Sequence, residues 1–136
     1  DVLTSRGLGD VYKRQISMFF HQLLESRVLN VHGDGSQTRS FTWIDDVVDG
    51  FVEVGMQDLP TGAAYNLGSI EEVSIIDLAT RIANFGDDVT ITFSEGYFGD
   101  VKRRVPNITR SKELLNWQPN VSLEEGLKLM WQSFNP

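Results

Sequence analysis

An α/β fold is what the sequence predicts, and three observations carry it. Short β-prone runs (Val28 to Val31, Arg39 to Ile44, Ala63 to Leu67, Val89 to Phe93) alternate along the chain with segments of helical apolar spacing. Turn-forming residues fall between them, at His32-Gly33-Asp34-Gly35, at Leu59-Pro60-Thr61-Gly62 and at Gly86. No internal repeat, low-complexity tract or long linker interrupts the alternation, so the pattern reads as one compact unit.

Taken in order, Ile16 to Ser26 sets Ile16, Phe19, Phe20, Leu23 and Leu24 at helical spacing, with His21, Gln22 and Glu25 on the other face. Val28 to Val31 is a strand that ends in a turn whose glycines tolerate positive φ. Arg39 to Ile44 alternates polar and apolar residues, the mark of a half-buried strand. Asp45 or Asp46 is then expected to cap a helix running to about Met56, with Val47, Val48, Phe51, Val52 and Val54 giving it a broad apolar surface. Ala63 to Leu67 reads as a buried strand ending at Gly68. Ser74 is expected to cap a third helix that buries Ile75, Leu78, Ala79 and Ile82. After the Val89 to Phe93 strand comes an irregular loop, Glu95 to Val105, and then two helices, about Thr109 to Asn116 and Ser122 to Phe134. Ser122 and Glu125 form a Ser-x-x-Glu capping box for the last one.

Composition narrows the function classes. The chain has 136 residues, enough for one domain with a modest core. Apolar residues make up 40% and charged residues 23%, a globular balance. No apolar run approaches the ~20 residues of a membrane-spanning helix, so no membrane span is expected. There is no cysteine, which excludes a disulfide framework and thiolate chemistry and fits a reducing cytoplasm. A net charge of −7 argues against nonspecific binding to nucleic acid, although a local basic cluster can still hold one anionic ligand.

Ser5 to Gln15, SRGLGDVYKRQ, matches residue for residue the in-frame translation of a transposase-type sequencing adapter. The expectation is that residues 1–15 are adapter translation and form no specific structure, and that residues 16–136 are a portion of a longer protein. The alternative is a Gly-rich basic arm.

Much familiar chemistry is missing from the sequence. Gly33 and Gly35 lack the third glycine of a G-x-G-x-x-G loop, and no P-loop pattern occurs. No tyrosine is followed four residues later by lysine, so a Tyr-x-x-x-Lys base pair is absent. His21 and His32 have no carboxylates at metal-ligand spacing, and no metal site is expected.

What is present points to anions. Arg39 follows the Gly33–Gly35 turn at the mouth of a strand, and a guanidinium is planar, permanently charged and bidentate toward phosphate. Pairing with Asp34 or Asp45 at the surface is the alternative. Lys102, Arg103 and Arg104 are three adjacent cations that repel one another unless an anion faces them; a solvated charge run is the alternative. Asn66 lies at the C-terminal end of an expected parallel strand, where open α/β sheets place ligand contacts, unless it only stabilises a turn.

Three segments together carry a resemblance: VHGDGSQTRSFTWIDD (31–46), AYNLGS (64–69) and RRVPNITRSKELLNWQPNVSLEEGL (103–127). They resemble the C-terminal half of extended short-chain dehydrogenase/reductases, in the branch of NAD-dependent nucleotide-sugar epimerases, dehydratases and decarboxylases. The resemblance runs from about Ile16 to Phe134. It implies a Rossmann-type α/β fold whose glycine-rich NAD-binding half lies upstream, together with the Tyr-x-x-x-Lys pair. It further implies that the backbone of Val28 to Val31 lies against the nucleobase, that Arg39 and Arg104 hold the diphosphate with Arg103 as the fallback, and that Asn66 sits beside the substrate. The implied ligand is a UDP-, dTDP- or GDP-linked sugar, the implied cofactor NAD bound by the other half, and the full-length enzyme a homodimer. Departures are His32 where many members have tyrosine, Asn116 in place of the glycine before Trp117, and Tyr97 where epimerases often have an arginine. Two other readings stay open: a non-catalytic nucleotide-binding regulator on the same fold, and an acidic α/β interaction module without a ligand.

Overall fold

The computed structural model describes residues 15–96 and 99–135. Residues 1–14 of the adapter reading, and Tyr97, lie outside the described residues; Gln15 opens the first helix. The elements run α1 (Gln15–Glu25), β1 (Val28–His32), β2 (Thr38–Ser40), α2 (Ile44–Met56), β3 (Glu72–Ser74), α3 (Ile75–Ala83), β4 (Thr90–Ser94), β5 (Arg103–Arg104), α4 (Thr109–Leu115) and α5 (Leu123–Phe134).

The chain forms two compact units where the element pattern suggests one: Asp1–Gly35 with Ile76–Phe98, and Ser36–Ile75 with Gly99–Pro136. In the first, β1 and β4 pair in parallel with Val31 opposite Phe93. Phe19, Phe20 and Leu23 of α1, Leu29 and Val31 of β1, and Leu78, Ala79 and Ile82 of α3 supply its core. These helical residues recur at three- and four-residue intervals, so each helix buries one stripe. Phe20 meets Phe85 edge-on at 5.7 Å between centroids.

The second unit is built on a three-stranded sheet of order β3-β2-β5, with β2 antiparallel to β3 and parallel to β5. Its buried apolar residues are Val73, Ile75, Ile108, Leu115, Trp117, Leu123 and Leu127. The Trp117 indole donates to the Asp46 carbonyl at 2.8 Å, and the buried Asp46 carboxylate accepts from the Val121 amide at 3.0 Å. One acidic residue in the first turn of α2 thus fastens the turn before α5. Asn116 takes the left-handed conformation at the C-terminus of α4 (φ 51°), and the Trp117 amide returns to the Ser111 carbonyl. Asparagine is the second choice there after glycine, which accounts for its standing in place of the expected residue. The Ser122 hydroxyl accepts from the Glu125 amide, as the capping box predicts.

Two expectations about this unit are corrected. α2 starts at Ile44, one residue before the aspartates, and Trp43 at its N-cap makes no side-chain cap. Asp45 and Asp46 instead lie in the first turn, where carboxylates suit the positive end of the helix dipole. Ala63 to Leu67 forms no strand among the described residues, because its carbonyls are taken by α4 side chains: Arg110 donates to Ala64 and Ser111 to Asn66. The apolar surface of α2 is largely exposed, with Ile44, Val48, Phe51, Val52 and Met56 forming an outward stripe.

Candidate functional site

Successive side chains of a strand point to opposite faces of a sheet, and register partners in neighbouring strands share a face. Thr38 is in register with Arg103, and Arg39 with Arg104. The sheet of the second unit therefore sorts its basic residues into two groups.

One face is internally satisfied. Arg103 donates from Nε and Nη2 to both carboxylate oxygens of Glu72 at 3.0–3.1 Å, and the Thr38 hydroxyl donates to the same carboxylate at 2.6 Å. The Thr38 hydrogen bond first, and then the Arg103 guanidinium, hold the Glu72 pKa below its ordinary 4.5. Arg103, the fallback for the phosphate, is committed to a neighbour.

The other face carries Arg39 and Arg104. The Arg39 side chain is only 14% exposed. Its Nη1 donates to the carbonyls of Thr38 at 2.8 Å and Val101 at 2.6 Å, and its Nη2 to Asp100 Oδ1 at 2.6 Å. A guanidinium has five N–H donors, so two of them, Nε–H and one on Nη2, have no acceptor among the described residues. The carboxylate that Arg39 finds is Asp100, not the Asp34 or Asp45 of the surface alternative. Arg104 is exposed, and its side chain makes no hydrogen bond or ion pair among the described residues; the same holds for the side chain of Lys102. The register thus sets Arg39 and Arg104 on one face, with Asp100 paired to Arg39.

Asn66 is fixed next to the segment that follows Arg104. Its amide donates to the Asn107 carbonyl at 2.9 Å, and its own carbonyl accepts from the fully buried Ser111 hydroxyl at 2.6 Å. It also lines an open cleft of about 590 Å³ with Asn107 and Arg110, which includes neither Arg39 nor Arg104. Val31 belongs to the first unit, and its side chain is fully buried. The whole residue is covered, its backbone lying in the β1–β4 ladder, so Val31 presents no surface to a ligand. Among the described residues no group of three or more His, Asp or Glu could hold a metal, and no helix is long and apolar enough to cross a membrane.

Comparison with known proteins gives this arrangement a family. The family model described as GDP-mannose 4,6 dehydratase matches residues 5–130. The chain belongs to that family. It is one of NAD-dependent sugar epimerases and dehydratases on a Rossmann-type α/β fold, and the chain corresponds to a C-terminal part of its members. UDP-glucuronic acid decarboxylase 2 of Arabidopsis thaliana is 39% identical over 122 residues, 89% of this chain and 27% of that protein. The structure of UDP-glucuronic acid 4-epimerase from Bacillus cereus, in complex with UDP-glucuronic acid and NAD, superposes with a TM-score of 0.81 at 31% identity, covering 88% of this chain and 39% of that one. UDP-glucose 4-epimerase from Thermotoga maritima, with UDP-glucose, gives 0.80 at 28%, covering 88% and 38%. The chain therefore spans between a quarter and two fifths of these relatives.

Asp100, Glu72 and Ser111 are residues that sequence reasoning missed. Glu72 and Ser111 carry ordinary surface and helix signals, and Asp100 sits in a loop without periodicity, so only the fold reveals their partners.

Proposed function

We propose that this chain is the substrate-binding portion of an NAD-dependent nucleotide-sugar epimerase, dehydratase or decarboxylase, and that Arg39 and Arg104 hold the diphosphate of a UDP-, dTDP- or GDP-linked sugar. The observation that carries this reading is the register that sets the two arginines on one face while turning Arg103 to Glu72 on the other. The relatives support the substrate class, since those just described are named for UDP-sugars or solved with them. Asn66, tied to Asn107 close to Arg104 in sequence, is assigned to the sugar side of the same site.

The chain's own contribution is grip and orientation. Binding energy gathered at the diphosphate, remote from the reacting carbon, can be spent on holding the sugar in its reactive pose. NAD, when bound, would take and return a hydride at C4 of the sugar. None of this chain's residues is assigned to it: β1 leads through the Gly33–Gly35 turn into β2 rather than into a helix N-terminus, so the turn does not fit a dinucleotide pyrophosphate. The Tyr-x-x-x-Lys pair would likewise come from the remaining part of the enzyme.

The test is calorimetric titration of the chain and its variants with UDP and dTDP. A charge-assisted hydrogen bond to a partly desolvated phosphate contributes about 1.5–3 kcal/mol. Arg39→Ala is therefore expected to weaken binding roughly 10- to 150-fold, and Arg104→Ala similarly. Arg39→Lys restores only part, because a point charge does not reproduce the fork. Arg103→Ala leaves affinity near that of the parent chain, and the Arg39/Arg104 double variant is non-additive if both grip the same phosphates. Unchanged affinity in both single variants would remove the arginines from the site.

A further inference from the structure

We propose that the exposed apolar stripe of α2 and the open backbone edge of residues 63–67 form one docking surface. Its occupant is the remaining part of the full-length enzyme, to whose sheet residues 63–67 add a strand. The inference rests on reading the chain as a portion of a longer enzyme, and not on the duties of its arginines.

The segment Ala63 to Leu67 has the composition of a strand but is served on one edge only. The carbonyls of Ala64 and Asn66, two residues apart, accept from Arg110 and Ser111 of α4. In an extended segment alternate residues address opposite edges, so Ala63, Tyr65 and Leu67 address the other one. The carbonyls of these three and the amides of Tyr65 and Leu67 have no partner among the described residues. The Tyr65 hydroxyl is buried and likewise unpartnered there. A finished fold leaves few such groups, and a row of open amides and carbonyls is a template for one more strand.

α2 lies against the same segment. A Cβ built at Gly50 would be 2.8 Å from both Leu67 methyl carbons, so the helix approaches the segment closely at its glycine. Ile44, Val48, Phe51 and Val52 lie on the helix surface turned away from Gly50, and Phe51 is 67% exposed. A helix apolar on both sides belongs between two layers, and here one layer is missing. Most of the length of the chain's relatives lies outside the region it matches. That part is tethered to this surface, which gives it an advantage in effective concentration over a second copy. Docking would bring Asn66 to the seam, so the sugar side of the site is completed only in the assembled enzyme.

Replacing the matched region of the Bacillus cereus UDP-glucuronic acid 4-epimerase by residues 16–134 restores a full-length polypeptide. Hydrogen–deuterium exchange is expected to show residues 64–67 roughly a hundredfold more protected in this fusion than in the 136-residue chain. Phe51→Glu should leave the urea midpoint of the 136-residue chain unchanged, because the side chain is exposed there. In the fusion it should lower the midpoint and return residues 64–67 to fast exchange. Equally fast exchange in chain and fusion, with the fusion folded by circular dichroism, would overturn the proposal. Where the fusion does not fold, sedimentation of the 136-residue chain decides. A discrete dimer that Phe51→Glu dissociates would give the face to a second copy and overturn the proposal, whereas a monomer that binds the apolar dye ANS, and loses it in that variant, upholds it. Parent-like UDP affinity in Arg39→Ala would remove the diphosphate reading and leave the exchange result standing.

Discussion

Gly35 offers a stability experiment with its control inside the same chain. It takes φ +73°, and a Cβ built there would lie 2.8 Å from Ile76 Cβ, 2.9 Å from Val31 Cγ1 and 3.1 Å from the Ile76 backbone nitrogen. The Ile76 amide also donates to the Gly35 carbonyl at 3.0 Å, so the contact cannot open without losing a hydrogen bond. Gly62 has nearly the same backbone, φ +79°, but nothing within 4 Å of the added atom. The left-handed conformation costs an L-residue about 1–2 kcal/mol, and removing a glycine from the unfolded chain returns about 0.4–1. Gly62→Ala should thus destabilise by about 0–1.6 kcal/mol. Gly35→Ala carries the same terms plus overpacking of about 1–3 kcal/mol, because a β-branched stem and a backbone atom have little room to move. Its cost should be about 1–4.6 kcal/mol, a large share of a typical domain stability of about 5–15 at the upper end. Urea denaturation of both variants, followed by tryptophan fluorescence and circular dichroism, measures the difference. Equal losses in the two would show that the space around Gly35 is softer than the packing implies and would refute the reasoning.

Other consequences are as direct. Ser111→Ala removes the donor on the Asn66 carbonyl and should cost about 1–2 kcal/mol by chemical denaturation, with a lowered UDP affinity if Asn66 belongs to the site. Because the Thr38 hydroxyl and Arg103 lower the Glu72 pKa, the folded chain binds fewer protons there than the unfolded one. The resulting stabilisation is complete above the ordinary value of 4.5 and is lost as pH falls through the lowered folded value. Melting temperatures of the parent chain and of Glu72→Gln should therefore converge as the pH drops from about 6 toward 3, and a gap that widens would be the wrong sign. The purified chain, given NAD with UDP-glucose or UDP-glucuronate, should form neither NADH nor an altered sugar; product above a blank would contradict the assignment of the catalytic pair to the rest of the enzyme.

The sequence shows the helices well because their signals are local. The Phe19, Phe20 and Leu23 stripe, the Ser122–Glu125 box and the breaks at Gly62 and Gly86 all act within a few residues of themselves. Strand pairing is not local, and there the reading falters. Ala63 to Leu67 has the composition of a strand, yet Ser111 and Arg110 take its carbonyls from 45 and 46 residues away. The outward stripe of α2 shows the same limit: periodicity says that Ile44, Val48, Phe51, Val52 and Met56 share a side, but not that the side is exposed. Among the candidate residues, Arg39 is singled out in the sequence by its place after a Gly turn. Its partner Asp100 is not, because no spacing rule links a strand residue to a carboxylate 61 positions later.

Arg103 and Arg104 are adjacent and chemically identical, and only parity separates them. The strand alternation assigns one to Glu72 and leaves the other beside Arg39. A one-residue slip of β5 against β2 would exchange the two positions without altering any side chain of the sheet. When relatives are aligned, a one-residue shift in this basic pair moves the position beside Arg39 to the neighbouring column, and matching arginines letter for letter would equate residues that point in opposite directions.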